Sequence, residues 1–160
     1  MAVEAIAGAQ PQAASKAITV TLDARADGSS LLGDRHLLAR AIENLLDNAL
    51  RHTPQGGRIM VGLTRRDALL VFTVADTGPG IAADDLPRLF TPLFRGEASR
   101  NRQTGGAGLG LAISRRILRA HGGDLTAANR AEGGAIFTGT LPTLRRGAVA
   151  ADRTAEAALA

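Results

Sequence analysis

ENLLDNALRH (43–52) is the stretch on which the reading of this chain turns. At helical spacing Asn44 and Asn48 fall one turn apart on the same face, with Arg51 and His52 three and four residues after Asn48, so a polar stripe runs among leucines. Such a stripe suits magnesium and phosphate, because neutral amides offer acceptor oxygens and donors without adding repulsive charge. Two further stretches follow in order. DTGPGI (76–81) sets one carboxylate, Asp76, before a Gly-Pro-Gly turn, and GGAGLGLAI (105–113) sets glycines just before an apolar helical run. Each is an ordinary turn or hinge when seen alone. Together they describe a nucleotide pocket closed by a flexible loop.

Working outward, Asp34 reads as the N-cap of a helix through about Thr53, with Leu37, Leu38, Ala41, Leu45 and Ala49 as its apolar stripe. Pro54 and Gly56-Gly57 stop it. RIMVGLTR and ALLVFTVA alternate as two strands turning around Arg66-Asp67, which leaves Asp76 where a strand runs out. ADDLPRLF has room for one or two helical turns. Residues 91–107 have no periodicity, the mark of a functional lid or of disorder. Residues 109–121 are an amphipathic helix with Leu111, Ile113, Ile117 and Leu118 near one face and Gly122-Gly123 at its end. GDLTAAN and AIFTGTL close the sheet as a hairpin around Glu132-Gly133-Gly134.

On the N-terminal side, AITVTLD (17–23) alternates like a strand, ARADGSS turns, and LLG (31–33) suggests a short edge pairing. Residues 1–16 are Ala-rich without clear periodicity, so they read as a linker or the tail of a preceding helix. The domain proper then runs over 17–144, and 145–160 reads as a frayed, disordered tail.

Composition narrows the class. At 160 residues the chain fits one domain with a real core, 45% hydrophobic but only 2% aromatic, so Leu, Val, Ile and Ala must fill it. Phe72 and Phe137 look like core, whereas Phe90 and Phe94 fall outside any strand and hint at service to a mobile element. There is no cysteine, hence no disulfide and no cysteine metal site. No apolar run approaches the roughly 20 residues that span a bilayer. The net charge of +4 comes from one lysine, Lys16, and scattered arginines. No helix-turn-helix or aromatic-interleaved patch accompanies them, so nucleic acid is not expected as a partner. Arg95, Arg100 and Arg102, beside the glycine loop, have a better use on phosphate.

The glycine run excludes two commoner sites. A dinucleotide fingerprint needs G-x-G-x-x-G directly after a strand, and this is G-x-G-x-G after a long loop. A P-loop needs GK[ST], which is absent. What remains is a set of free backbone N–H groups at a helix N-terminus, favourable to phosphate.

In their order these segments resemble the N, G1 and G2 boxes of the catalytic and ATP-binding domain of bacterial sensor histidine kinases, in the superfamily that includes gyrase, Hsp90 and MutL. LFTPLFRGEASR (89–100) resembles the F box and GGAIFTGTLP (133–142) the closing strand, so the likeness runs from Asp34 to Leu144. The F box departs from Phe-x-x-Phe, since Leu93 stands three residues after Phe90 and Phe94 comes next.

The resemblance implies a two-layer α/β sandwich of the Bergerat type, with a mixed sheet of about five strands covered on one face by about three helices. It implies ATP and Mg2+ as cofactors. Asn48 would be the magnesium ligand and Arg51 a phosphate contact. Asp76 would accept from the adenine amine, with Gly78 and Gly80 letting backbone approach the base. His52, Ile81, Phe90, Arg95, Arg100, Gly105, Gly106, Gly108, Leu109 and Gly110 would complete the ATP-binding set. At Asn44 the gyrase and Hsp90 branches carry a glutamate that activates water; an amide cannot, which favours transfer over hydrolysis. Glu43 is then the candidate base, so Glu43 and Asn44 form the catalytic pair.

The implied reaction is transfer of the γ-phosphoryl group to a histidine on a separate dimerisation domain, for relay to a response regulator. His36, His52 and His121 lie in none of the contexts of a phosphorylated histidine, so that domain is expected elsewhere in a membrane-anchored homodimeric parent. The present stretch would be a monomeric cytoplasmic domain of it. A clamp ATPase of the gyrase, Hsp90 or MutL type, a domain that only reports ATP, and an anti-sigma serine kinase remain as rivals.

Overall fold

The computed structural model describes residues 1–26, 30–94 and 108–144. Five strands form one mixed sheet: β1 (Thr19–Arg25), β2 (Arg58–Arg66), β3 (Leu69–Asp76), β4 (Asp124–Asn129) and β5 (Ala135–Pro142), in the order β1-β2-β3-β5-β4. β1 runs parallel to β2, and every other pairing is antiparallel. Among the described residues three α-helices accompany the sheet: α1 (Ala2–Ser15), α2 (Arg35–His52) and α3 (Gly110–Ala120). The expected α/β sandwich is the observed one.

Strand alternation puts the core on one face of the sheet. Register aligns Ile59 with Asp76, Val61 with Val74, and Val74 with Phe137, and all of these are buried. The helices cover that face through Leu38, Leu45, Leu46, Leu50, Ile117 and Leu118. Asp76 shares the parity of Phe72 and Val74, so its carboxylate is turned inward among them rather than toward water.

α2 begins as the sequence predicts. The Asp34 side chain accepts from the backbone N–H groups of His36 and Leu37, at 2.8 and 3.1 Å. Those two bonds, Leu37's foremost, hold the Asp34 carboxyl below its ordinary range. The helix ends at Thr53, whose buried hydroxyl donates to Ala49 O at 2.7 Å before Pro54. Leu37 does not join the buried stripe; it is exposed, and Ile42, Leu46 and Leu50 widen that stripe instead.

Two other expectations change. Residues 2–15 are a helix whose Ala5, Ala9 and Ala13 are buried against the core at i, i+4 spacing. Periodicity was hidden because alanines also occupy the exposed side and Pro11 reads as a breaker. LLG makes no edge pairing: Leu32 is exposed and Leu31 turns toward the core. The expected tail, 145–160, lies outside the described residues.

α1 fixes where α2 ends. Lys16 Nζ donates to Leu50 O at 2.6 Å and to Thr53 O at 3.5 Å, placing the sole lysine on the carbonyl end of α2. Gly56 N donates to Lys16 O and Thr19 N to Gly57 O, so the chain leaving α2 is tied to the chain entering β1.

Candidate functional site

The C-terminal half of α2, the turn after β3 and the first turn of α3 converge. Asn44 Nδ2 donates to Gly110 O and to Ser114 Oγ, both at 3.3 Å, while Ser114 Oγ lies 2.9 Å from Gly110 O and 3.2 Å from Ala41 O. Gly110 faces Asn44 directly: a Cβ there would stand in ordinary contact with Asn44 Cγ, at 3.6 Å. The structure thus commits the Asn44 donor to α3. One turn on, Asn48 is half-buried, and among the described residues nothing hydrogen-bonds its amide. Glu43 and Arg51 are exposed beside it.

Asp76 is the buried carboxylate of the site, 2% exposed. Its Oδ1 accepts from Gly78 N at 2.8 Å and from Ala135 N at 3.3 Å. A Cβ at Gly78 would lie 2.8 Å from the His52 carbonyl oxygen and 2.9 Å from Asp76 Oδ1, so the turn packs against the end of α2 and needs glycine there. Gly80 takes φ +79° against Asn129. Ile81 is gripped at both backbone groups: its N–H donates to Asn129 Oδ1 at 2.7 Å and its carbonyl accepts from Asn129 Nδ2 at 2.8 Å. Arg130 Nη1 donates to the Asp76 carbonyl at 2.8 Å.

The described part of the F-box segment docks through its aromatics, each set under an arginine from outside the segment. A short 3-10 turn, Leu86–Arg88, precedes it. The Arg115 guanidinium lies over the Phe90 ring at 4.8 Å, and Arg88 over Phe94 at 4.8 Å. Arg115 is itself held by Asp124, Nε to Oδ1 at 2.8 Å and Nη2 to Oδ2 at 3.2 Å, and Arg119 repeats that fork on the same carboxylate. The two guanidiniums, Arg115 first, keep the Asp124 carboxyl well below the usual carboxylate range. Leu93 N donates to Gly108 O at 3.1 Å. Gly108 has φ +69°, and a Cβ on it would meet Phe94 O at 2.9 Å. Beyond it, Leu109 caps α3 without a side-chain bond, so the first-turn N–H groups have no such partner. Arg95, Arg100, Arg102, Gly105 and Gly106 lie outside the described residues.

The structure therefore gathers Asn44, Asn48, His52, Asp76, Gly78 and Gly110 between two helices and one turn. Among the described residues, no three His, Asp or Glu side chains converge on a metal position. The Asn48 amide oxygen, a hard donor with no partner among the described residues, fits a hydrated magnesium that also takes phosphate oxygens. A separate apolar cavity of about 610 Å³ beside the N-terminal half of α2, lined by Leu31, Leu38, Ile42 and Phe72 among others, shares no residue with this site. No helix of the described residues is long and apolar enough to cross a membrane. Sequence reasoning missed Ser114, Asn129, Arg130 and the Arg115–Asp124 fork. Only Ser114 left a trace, a hydroxyl inside an apolar stripe four residues after Gly110.

Known proteins share the family and the fold of this chain. The family model described as histidine kinase-, DNA gyrase B-, and HSP90-like ATPase matches residues 33–145. The signal transduction histidine-protein kinase BaeS of Escherichia coli (strain K12) is 43% identical over 119 residues, covering 74% of this chain and 26% of that protein. The chain thus spans about a quarter of that curated relative. The mycobacterial sensor histidine kinase MprB superposes with a TM-score of 0.76 at 30% identity, over 88% of this chain and 95% of that one. Full-length ShkA in complex with AMPPNP gives a TM-score of 0.77 at 30% identity, over 92% of this chain and 30% of that one.

Proposed function

We propose that this chain, which belongs to the histidine kinase-, DNA gyrase B-, and HSP90-like ATPase family, binds ATP as the nucleotide domain of a sensor histidine kinase, with the following division of labour within it. Adenine lies against the turn 76–81, its exocyclic amine donating to Asp76. The phosphates run between α2 and the first turn of α3, where N–H groups without a side-chain cap and the positive helix end favour anions. Asn48 holds Mg2+, which when bound screens the phosphate charge and orients the γ-phosphoryl group. Arg51 is exposed on the same helix and reaches phosphate from solvent. Arg95 and Arg100, outside the described residues, serve as further phosphate contacts in this reading.

The γ-phosphoryl group passes to a histidine on a dimerisation domain of the parent protein and from there to a response regulator. Positioning and charge stabilisation carry most of that catalysis. Glu43 takes the acceptor's proton, and Asn44 sets α3 rather than activating water. We place this domain on the cytoplasmic side of a membrane-anchored dimeric parent, as expected for a sensor kinase.

The buried Asp76 carboxylate, set at the Gly78 turn where β3 runs out beside the end of α2, is the observation that carries the nucleotide assignment. The clamp reading is the weaker one, because Asn44 is an amide whose donor is spent on Gly110 and Ser114. The test is transfer in trans. Mixed with a separately made acceptor domain and labelled Mg-ATP, the chain should label that domain's histidine and release little free phosphate. Brisk phosphate release without transfer would favour the clamp instead.

A further inference from the structure

The turn that carries Asp76 is held from outside by the end of β4, a contact that no motif of the sequence announces. Asn129 spends both halves of its amide on one residue, accepting from Ile81 N at 2.7 Å and donating to Ile81 O at 2.8 Å. A side chain here imitates one rung of a β ladder. Asn129 Oδ1 also sets the limit at Gly80, where a Cβ would come within 2.8 Å of it.

Next along the chain, Arg130 is mostly buried, with its side chain 18% exposed, and reaches the Asp76 carbonyl at 2.8 Å. Its other end faces the exposed Glu132 at 3.6 Å. The following turn closes on itself, since Arg130 N donates to Gly134 O at 3.0 Å. Gly134 lies so close to Asp76 O that a Cβ there would overlap it, and Ala135 N donates to the Asp76 carboxylate at 3.3 Å. Both ends of the segment 76–81, and the carboxylate itself, are therefore fixed by residues 129–135.

We propose that Asn129 and Arg130 are positioning residues that set the adenine specificity of the site. The inference rests on the adenine reading of Asp76 given above. Adenine offers a donor where guanine offers a keto oxygen, so a fixed carboxylate accepts from one and repels the other. A carboxylate free to shift can let water in between, and the penalty against guanine then falls. Affinity for ATP should suffer less than the ratio between the two nucleotides.

The experiment is calorimetric titration of the whole chain with Mg-ATP and Mg-GTP, for the parent, Asn129→Ala, Asn129→Asp, Arg130→Met and Arg130→Lys. The expected result is an ATP-to-GTP affinity ratio reduced about tenfold in Asn129→Ala and Arg130→Met, the scale of one charged hydrogen bond. Arg130→Lys, which keeps a donor for the Asp76 carbonyl, should recover part of it. Asn129→Asp keeps the acceptor and loses the donor, and should resemble Asn129→Ala. In an Asp76→Ala background, adding Asn129→Ala should change the ratio no further.

A parent chain that binds both nucleotides alike overturns the adenine reading itself, and this proposal with it. A parent that discriminates, with variants that keep its ratio or lose both affinities equally, overturns the proposal alone. If Asn129→Ala does not fold, the Arg130 pair carries the measurement. If neither Asn129→Ala nor Arg130→Met folds, the two side chains serve the fold rather than specificity, and the proposal falls.

Discussion

Asn44 Nδ2 stands 3.3 Å from the hydroxyl of Ser114, across the contact between α2 and α3. The serine is fully buried and lies 3.2 Å from Ala41 O, so one hydroxyl joins an α2 side chain to an α2 carbonyl through α3. The helix that opens at Gly110 is thereby set against the helix that carries Asn48.

Ser114→Ala should therefore loosen that junction. Loss of a buried hydroxyl leaves the Asn44 donor with Gly110 O alone, a cost of about 1–2 kcal/mol. Chemical denaturation of the variant checks the magnitude. A double-mutant cycle with Asn44→Ala should give a non-additive coupling, and strict additivity would show that the 3.3 Å contact carries no energy.

Asp76→Ala removes the proposed adenine acceptor. ATP affinity should fall about tenfold to a hundredfold, the range expected for a charge-assisted bond. Titration calorimetry reads it directly. An unchanged dissociation constant would move adenine elsewhere in the site.

The Asp124 fork makes a pH prediction with a definite sign. Arg115 and Arg119 lower its folded-state pKa, so its contribution is present above the unfolded carboxylate pKa and is lost as pH falls through the folded value. Asp124 is 39% exposed, so solvent screening keeps the effect modest. Melting temperatures measured from pH 7 downward should decline further below about pH 4 for the parent than for Asp124→Asn. Parallel curves would mean that the ion pairs add nothing.

The nucleotide elements were legible in the sequence because their periodicities are strong and their glycines sit at fixed offsets. Asp34 caps α2, Asp76 ends β3, and Gly110 opens α3. What was illegible depends on contacts between distant residues. Asn129 meets Ile81 and Arg130 meets Asp76 only after the sheet has brought β4 and β5 beside β3. The helix α1 was hidden for a local reason: alanine at Ala5, Ala9 and Ala13 gives no hydrophobic contrast with the alanines around it. Leu37 misled in the opposite sense, an apolar residue at stripe spacing that falls on the exposed shoulder of the helix.

Lys16→Met tests whether α1 supports the site from behind. The ammonium stands at 2.6 Å from Leu50 O, where the carbonyl end of α2 favours positive charge. Its removal should cost about 1–2 kcal/mol and lower the melting temperature by a few degrees. ATP affinity should change little, because Lys16 bonds to the carbonyls of Leu50 and Thr53 and to neither Asn48 nor Asp76. A large loss of affinity without loss of stability would instead tie Lys16 to the nucleotide.

Glu43 separates binding from chemistry. It is exposed on α2, next in sequence to Asn44, whose donor is held by Gly110 O and Ser114 Oγ. A base of this kind faces the incoming acceptor and contributes to the transfer step alone, so Glu43→Gln should leave the ATP dissociation constant unchanged while slowing single-turnover transfer to the acceptor histidine by about 10²–10⁴-fold. The slowing should also shrink as pH rises, once a larger fraction of acceptor imidazole is already neutral and needs the base less. Equal losses in binding and transfer would mark Glu43 as a structural residue of the α2 surface. Unchanged transfer would remove it from the reaction and leave the acceptor domain to supply its own base.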